Sequence, residues 1–232
     1  MKKFKEYFLK SKSPIEKKLE NFPKYSRRQT LTKFMVRHEL FKLQANIKGN
    51  IVECGVHEGG GLMTWANLSA IIEPHNYSRK IIGFDTFSGF PGSSKKDLKR
   101  FSQKGKFKEN YDTFSDIKDC IEVFDSNRSL NHIEKVTLVK GNAEKTIPSF
   151  LKKNKHFIVS LIWLDFDIYK PTFVALKHLL PRLAKGSVIA FDELNNPMWP
   201  GETLAAIENN ILTLGKLKCF NYEPNISYLV VE

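Results

Sequence analysis

Four carboxylates stand in two short clusters: Asp165 and Asp167 in Trp163-Leu164-Asp165-Phe166-Asp167-Ile168-Tyr169, and Asp192 and Glu193 in Phe191-Asp192-Glu193. Each cluster closes an apolar run, so each is expected at the end of a buried strand. Asp165 and Asp192 are 27 residues apart, room for one strand–helix–strand crossover. Neighbouring strands lie about 4.8 Å apart, which lets Asp165, Asp192 and Glu193 converge on one point. Three such carboxylates repel and raise each other's pKa. A divalent cation relieves that repulsion, and an all-oxygen donor set suits Mg2+ or Mn2+ better than zinc. The alternative is that some of these acids cap helices or pair with Lys or Arg.

A second constellation lies upstream. Glu53-Cys54-Gly55-Val56-His57-Glu58-Gly59-Gly60-Gly61 follows another apolar run. Its spacing departs from the dinucleotide fingerprint G-x-G-x-x-G, because His57 stands where the second glycine would be; a pyrophosphate has no close approach and an NAD site is disfavoured. The glycines still let a ligand lie against backbone at a helix start, where free N–H groups suit a carboxylate. Asp85 closes the next run, Gly83-Phe84-Asp85, about thirty residues on. An acid at that place can accept both hydroxyls of a ribose, or it can cap the following segment. Gly141-Asn142, after a third run, would then flank an adenine.

These residues need a scaffold that brings strand ends together. Apolar runs at Ile51–Val56, Lys80–Phe84, Val136–Val139, Ser160–Leu164 and Ser187–Phe191 alternate with helical stretches at Gly60–Ile72, Ser115–Phe124, Ala143–Lys152 and Pro171–Lys185. Pro181 should end or kink the last helix. Near-continuous apolar strands separated by helices predict a parallel sheet covered on both faces. Lys216–Phe220 and Ser227–Val231, joined across Asn221–Asn225, read as an antiparallel edge. The sum is an α/β, doubly wound, Rossmann-like domain over 50–232, preceded by a helical arm over 1–49. In that arm Ser13-Pro14-Ile15-Glu16 reads as a capping box. A helix is expected over Arg28–Ile47, with Leu31, Phe34, Met35, His38 and Phe41 on its inner face.

Composition bounds the function. The chain has 232 residues, 41% hydrophobic and 27% charged, and no run of eighteen apolar residues, which excludes a membrane-spanning helix. The basic start lacks an apolar core, so no signal peptide is read. Cys54, Cys120 and Cys219 are isolated, and a reducing cytoplasm fits. Of the net charge of +12, residues 1–50 contribute 14 Lys and Arg against 4 Glu. A second basic cluster, Lys95–Lys108, holds seven Lys and Arg and the single acid Asp97. Both can attract an anion such as nucleic acid, an acidic glycan or a sugar nucleotide, or be solvated surface. Phe4, Tyr7 and Phe8 can stack on bases, but are expected to pack the first turns against the body.

The ordered set Ile51-Val52-Glu53-Cys54-Gly55-Val56, Phe84-Asp85-Thr86-Phe87-Ser88-Gly89-Phe90-Pro91, Lys140-Gly141-Asn142, Leu164-Asp165-Phe166-Asp167-Ile168-Tyr169-Lys170-Pro171-Thr172, Leu179-Leu180-Pro181-Arg182-Leu183, Asp192-Glu193 and Pro200-Gly201-Glu202 resembles the macrocin O-methyltransferases of the TylF/MycF type. These are class I enzymes that methylate sugar hydroxyls with S-adenosylmethionine. The resemblance covers roughly 49–207 and departs at Glu193, where the family usually has a second aspartate, and at Ser187, where it usually has glycine. It implies that Glu53 and Gly55 face the methionine part of the cofactor and Asp85 its ribose; His57, Gly59, Gly141 and Asn142 complete the expected binding set. It implies magnesium held by Asp165, Asp192 and Glu193, and oligomerisation through the N-terminal helices.

The expected chemistry is in-line displacement by a substrate hydroxyl on the sulfonium methyl. Asp165 and Asp167 are the candidate catalytic residues, Asp167 as the base because it lies at the same strand end two residues past Asp165. His57 and His132 are the next candidates for the base. Trp199-Pro200-Gly201-Glu202 and Lys95–Lys108 are expected as loops over the strand ends that select the acceptor, with the lysines suiting a phosphorylated or nucleotide-linked sugar. Two other readings stand beside this one: a nucleic-acid methyltransferase, suggested by the basic arm, and a non-methylating, hydroxylase-like or binding relative. Against the first, the body is near neutral and lacks an Asn/Asp-Pro-Pro-aromatic motif.

Overall fold

The computed structural model describes residues 2–232. Seven strands form one sheet in the order β3-β2-β1-β4-β5-β7-β6. They are β1 (Asn50–Cys54), β2 (Ile81–Asp85), β3 (Val136–Lys140), β4 (Val159–Leu164), β5 (Leu183–Phe191), β6 (Lys218–Phe220) and β7 (Glu223–Val230). The first five run parallel, and β7 pairs antiparallel with both β5 and β6. The expected edge is present, with a tighter turn than expected, because Phe220 pairs with Glu223 across Asn221-Tyr222 alone. Strand order reverses between β1 and β4, the place where open α/β sheets bind ligands.

Successive side chains of a strand point to opposite faces, and each face has its own helical cover. Ile51, Ile81, Leu161, Trp163, Val188 and Ala190 pack with side chains of α3 (Arg28–Gln44), α4 (Gly60–Ile72) and α5 (Thr113–Ser126). Val52, Ile82, Phe84, Ile162, Leu164, Ile189 and Phe191 pack with those of α6 (Ala143–Lys153), α7 (Tyr169–Leu179) and α8 (Pro200–Glu208). After α7 the chain makes one 3-10 turn, Leu180–Arg182, at Pro181 and enters β5 directly.

The N-terminal region departs most from expectation. α1 (Lys2–Lys10) is a helix with no buried residue, and Phe4, Tyr7 and Phe8 do not reach the body. Tyr7 and Phe8 instead meet Tyr25 at 5.6 and 5.4 Å between ring centroids. α2 (Ile15–Glu20) is capped at Pro14 without a side-chain hydrogen bond, so Ser13 makes no capping box. α3, assigned to the arm by sequence, belongs to the packed core: Val36, Leu40 and Phe41 are fully buried. Its inner face is Thr32, Val36, Arg37, Leu40, Phe41 and Gln44, while Phe34 and Met35 are exposed. The polar members of that face are buried because each has partners. Gln44 accepts from Arg79 and Ser160, and Arg37 lies over the Trp163 ring beside Glu53. His38 is half-exposed, its Nδ1 3.1 Å from Glu39, on a turn of helix that the sequence placed inward.

Candidate active site

A cavity of about 710 Å3 opens at the C-terminal ends of β1, β2, β4 and β5. Glu53, Gly55, His57, Asp85, Gly141, Asn142, Asp165, Asp167, Asp192 and Glu193 all line it. Two of the expected residues lie elsewhere. Gly59 adopts a left-handed conformation (φ 83°) as the residue before α4 and backs onto Ile117, leaving Gly60 and Gly61 to face the cavity. His132 is exposed in the turn before β3, at the opposite end of the sheet, and cannot serve as the base.

One half of the cavity is built from β1, β2 and the turns that follow them. The Gly55 amide donates to Phe84 at 2.9 Å and that of Asp165 to Cys54 at 2.8 Å, so the end of β1 is clamped between β2 and β4. Gly55 has φ 98°, and a Cβ there would overlap the Asp165 carbonyl. Asp85 is both cap and cavity wall. Its Oδ2 accepts from the amides of Val56 and His57 at 2.8 and 2.9 Å, and its Oδ1 from Phe87 at 2.7 Å. The Asn142 side chain caps α6 by accepting from Glu144 at 3.0 Å. His57 (φ 50°) reaches outward, its Nε2 3.1 Å from Glu109.

Glu53 is buried at the end of β1, 3.5 Å from Arg37, and its carboxyl is pushed up to about 8 because burial outweighs the guanidinium. Glu53 Oε2 and Arg37 Nε have no hydrogen-bond partner. A buried polar atom left unpaired is costly, and a ligand amine would satisfy this oxygen. Gly61 is required beside them, since a Cβ would collide with both side chains.

The other half holds the acids. β4 and β5 are neighbours in register, Leu164 beside Phe191, so Asp165 and Asp192 lie side by side as expected. Burial, then the charges of Asp192 and Asp167, raise Asp165 well above the carboxylate range. Asp167 is pushed up to about 7 by burial and by Asp192 and Glu193, against Lys33 and Lys106. It sits at φ 60°, a left-handed conformation that costs an Asp less than most residues. Burial raises Glu193 despite its hydrogen bond from Asn196.

Convergence stops short of a ligand set. Among the described residues no three His, Cys, Asp or Glu are gathered closely enough to hold an ion. The reason is local: Asp192 accepts from Lys33 at 3.2 Å, Glu193 from Asn196, and Asp165 from the Trp163 indole at 3.4 Å. The chemistry of the donors nevertheless fits a divalent cation. Uncompensated carboxylates raise one another on a single cavity wall, and Lys33, itself raised because Asp192 and Asp165 outweigh its burial, neutralises only part of that charge.

Sequence reading missed Lys33, Arg37 and the role of Glu202. The cations lie on a helix 159 and 16 residues from their partners, and nothing in their neighbours marks them. Glu202 is fully buried and accepts from the Glu193 amide at 3.0 Å, within α8 rather than a loop. The basic stretch Lys95–Lys108 does lie in the loop over the strand ends, yet none of its lysines lines the cavity and only Phe107 does. Trp199 also lines it, packed on Phe90 and Phe107 with ring centroids 6.0 and 6.2 Å away.

A sheet of this order, with a glycine turn after β1 and acids after β2, β4 and β5 on one cavity, defines a class I S-adenosylmethionine-dependent methyltransferase. The family described as Macrocin-O-methyltransferase (TylF) matches residues 28–205; the chain belongs to that family and is an S-adenosylmethionine-dependent O-methyltransferase. It is similar to CalS11, a calicheamicin methyltransferase, at 31% identity and a TM-score of 0.94 over 99% of this chain and 90% of that one. The apo structure of CalS11, described as a TDP-rhamnose 3'-O-methyltransferase of calicheamicin biosynthesis, gives 30% identity and a TM-score of 0.85, covering 99% and 91%. The O-methyltransferase NovP shares the fold at 16% identity and a TM-score of 0.65, over 86% of this chain and 79% of that one. No curated protein gives a significant match.

Proposed function

We propose that this enzyme methylates a hydroxyl of a sugar, free or carried on a nucleotide or larger small molecule, and that a divalent cation, Mg2+ or Mn2+, assists it. The observation that carries the reading is the acidic wall of Asp165, Asp167, Asp192 and Glu193, in the same cavity as the unpaired Glu53 oxygen. The family and the likeness to CalS11 support the sugar acceptor. Glu53 and Gly55 hold the methionine part of S-adenosylmethionine, Asp85 its ribose, and Gly141 and Asn142 flank the adenine.

In the reaction, an oxygen lone pair of the acceptor forms the new O–CH3 bond as the S–CH3 bond breaks. S-adenosylmethionine would supply that methyl group and, keeping the electron pair of the broken S–CH3 bond, would leave as S-adenosylhomocysteine. Asp167 receives the hydroxyl proton; a carboxylate with a pKa near 7 is matched to that work at neutral pH. Asp165, Asp192 and Glu193 would hold the cation, which supplies positive charge that acidifies the hydroxyl. The aromatic wall of Phe90, Phe107 and Trp199 excludes water and faces the acceptor. Self-association through the N-terminal helices belongs to the same reading, supported by the exposure of Ile15, Leu19 and Phe22 and measurable by light scattering.

The test is methyl transfer to a panel of nucleotide sugars and glycans, with and without a chelator. Transfer to a sugar hydroxyl that chelation abolishes and Mg2+ restores is expected. A positioned base is worth about 10²–10⁴ in rate, so Asp167→Asn should keep S-adenosylmethionine binding and lose turnover by that factor. Unchanged turnover reassigns the base to His57. Salt-dependent methylation of RNA in place of any sugar would replace the reading.

A further inference from the structure

The single acid of the basic stretch, Asp97, is buried. Its Oδ2 accepts from the amide and hydroxyl of Ser94 at 2.7 and 2.8 Å. Its Oδ1 reaches 72 residues along the chain and accepts from the Tyr169 amide at 2.8 Å. Tyr169 is the first residue of α7, and Ile168 before it offers no capping side chain. A free N–H at a helix start needs an acceptor, and Asp97 supplies it from another segment.

The surroundings hold that bond in place. Gly201, at the start of α8, packs so closely that a Cβ would overlap Asp97 Oδ1 and press on the Tyr169 amide. Lys96 lies 4.0 Å over the Tyr169 ring and pairs with Glu208, while the Tyr169 hydroxyl donates to the same carboxylate at 2.6 Å. On one side of this junction is the left-handed Asp167, two residues before Tyr169. On the other is the loop carrying Phe90 and Phe107, which line the cavity with Trp199.

We propose that Asp97 is a positioning residue for methyl transfer: its bond to the Tyr169 amide locks the aromatic acceptor wall to the turn that carries Asp165 and Asp167. The basic stretch then serves the reaction through its one acid. Reacting groups displaced by about 1 Å can lose on the order of 10²-fold in rate, so a loosened junction acts on turnover before it acts on cofactor binding. The inference rests on the Asp165–Asp167 turn being the reacting end of the cavity.

Asp97→Ala and Asp97→Asn test it in the full chain, by hydrogen exchange over residues 165–171, S-adenosylmethionine calorimetry and turnover with TDP-rhamnose. In Asp97→Ala, exchange over 165–171 is expected to quicken at least tenfold, cofactor Kd to stay within twofold, and kcat to fall about tenfold. Asp97→Asn keeps an oxygen for Tyr169 but loses the bond from the Ser94 amide, which an NH2 group cannot accept. It should show a two- to fivefold rise in exchange and recover most of kcat, and it carries the test if the alanine variant does not fold. Wild-type exchange over 165–171 in the folded variants overturns the inference whichever acceptor the enzyme takes. Loss of cofactor affinity in step with kcat also overturns it, as general loosening. Failure of the acid wall is read separately, from wild-type turnover in Asp167→Asn.

Discussion

Glu202 illustrates how a carboxyl can serve through its shape and one acceptor oxygen. Burial raises its carboxyl well above the usual range, which favours the neutral acid, and the same group accepts from the Glu193 amide. Glutamine reproduces that neutral shape and keeps an acceptor. Glu202→Gln should therefore fold and turn over near the parent level. Glu202→Ala leaves the part-buried Glu193 N–H without this acceptor, at a cost of up to about 1–3 kcal/mol, measurable by urea denaturation. Glu53 gives the pH counterpart. Its folded pKa of about 8 exceeds the ordinary 4.5, so between those values the folded chain keeps a proton that the unfolded chain has released. Its stabilising contribution is full below about pH 4.5 and is lost as pH rises through 8. The melting temperature of the ligand-free protein should fall from pH 5 to pH 8, and Glu53→Gln should flatten that slope. The acids were legible because strand ends announce themselves in sequence. Lys33 and Arg37 were not, since their partners are fixed by tertiary packing of a helix whose own pattern does not name them.

Among the elements, β1 is the most constrained. Its terminal Gly55 fits only because no side chain stands between it and the Asp165 carbonyl. Gly55→Ala must either push β4 away or leave its left-handed conformation (φ 98°), and both separate Glu53 from Asp165. We expect a loss of 2 kcal/mol or more, by analogy with overpacked cores at about 1–3 kcal/mol plus backbone strain, and no measurable cofactor binding by calorimetry. The five parallel strands and α4 were readable because an apolar run bounded by glycine or acid has few alternatives. α3 was read with the right period and a shifted phase: Phe41 is buried as expected, but Phe34 and Met35 are exposed. Periodicity places Leu31, Phe34 and Met35 inward, but the buried partners of Arg37 and Gln44 pay for turning the polar positions inward instead. A hydrophobicity pattern carries no information about such distant partners.

At the scale of the whole molecule, the basic charge divides between an exposed helix and the cavity. Most of the net +12 lies in residues 1–50; there the first helix buries no residue, while the segment 27–37 brings Arg27, Lys33 and Arg37 to the cavity that the acids also line. No described helix is long and apolar enough to cross a membrane. The acidic wall carries its own counter-ion in Lys33, an ammonium tethered to α3 within 3.2 Å of Asp192. Domains that fold around a metal collapse when it is withdrawn; this one has a stand-in cation built into the chain. Material expressed and purified in chelator should melt cooperatively with a full complement of secondary structure by circular dichroism. Lys33→Met should make the same preparation harder to obtain and more dependent on added Mg2+ for its melting temperature. Under the proposed cation dependence, biosynthesis of the polypeptide and acquisition of the ion are uncoupled: Lys33 already occupies the acidic wall of the finished fold.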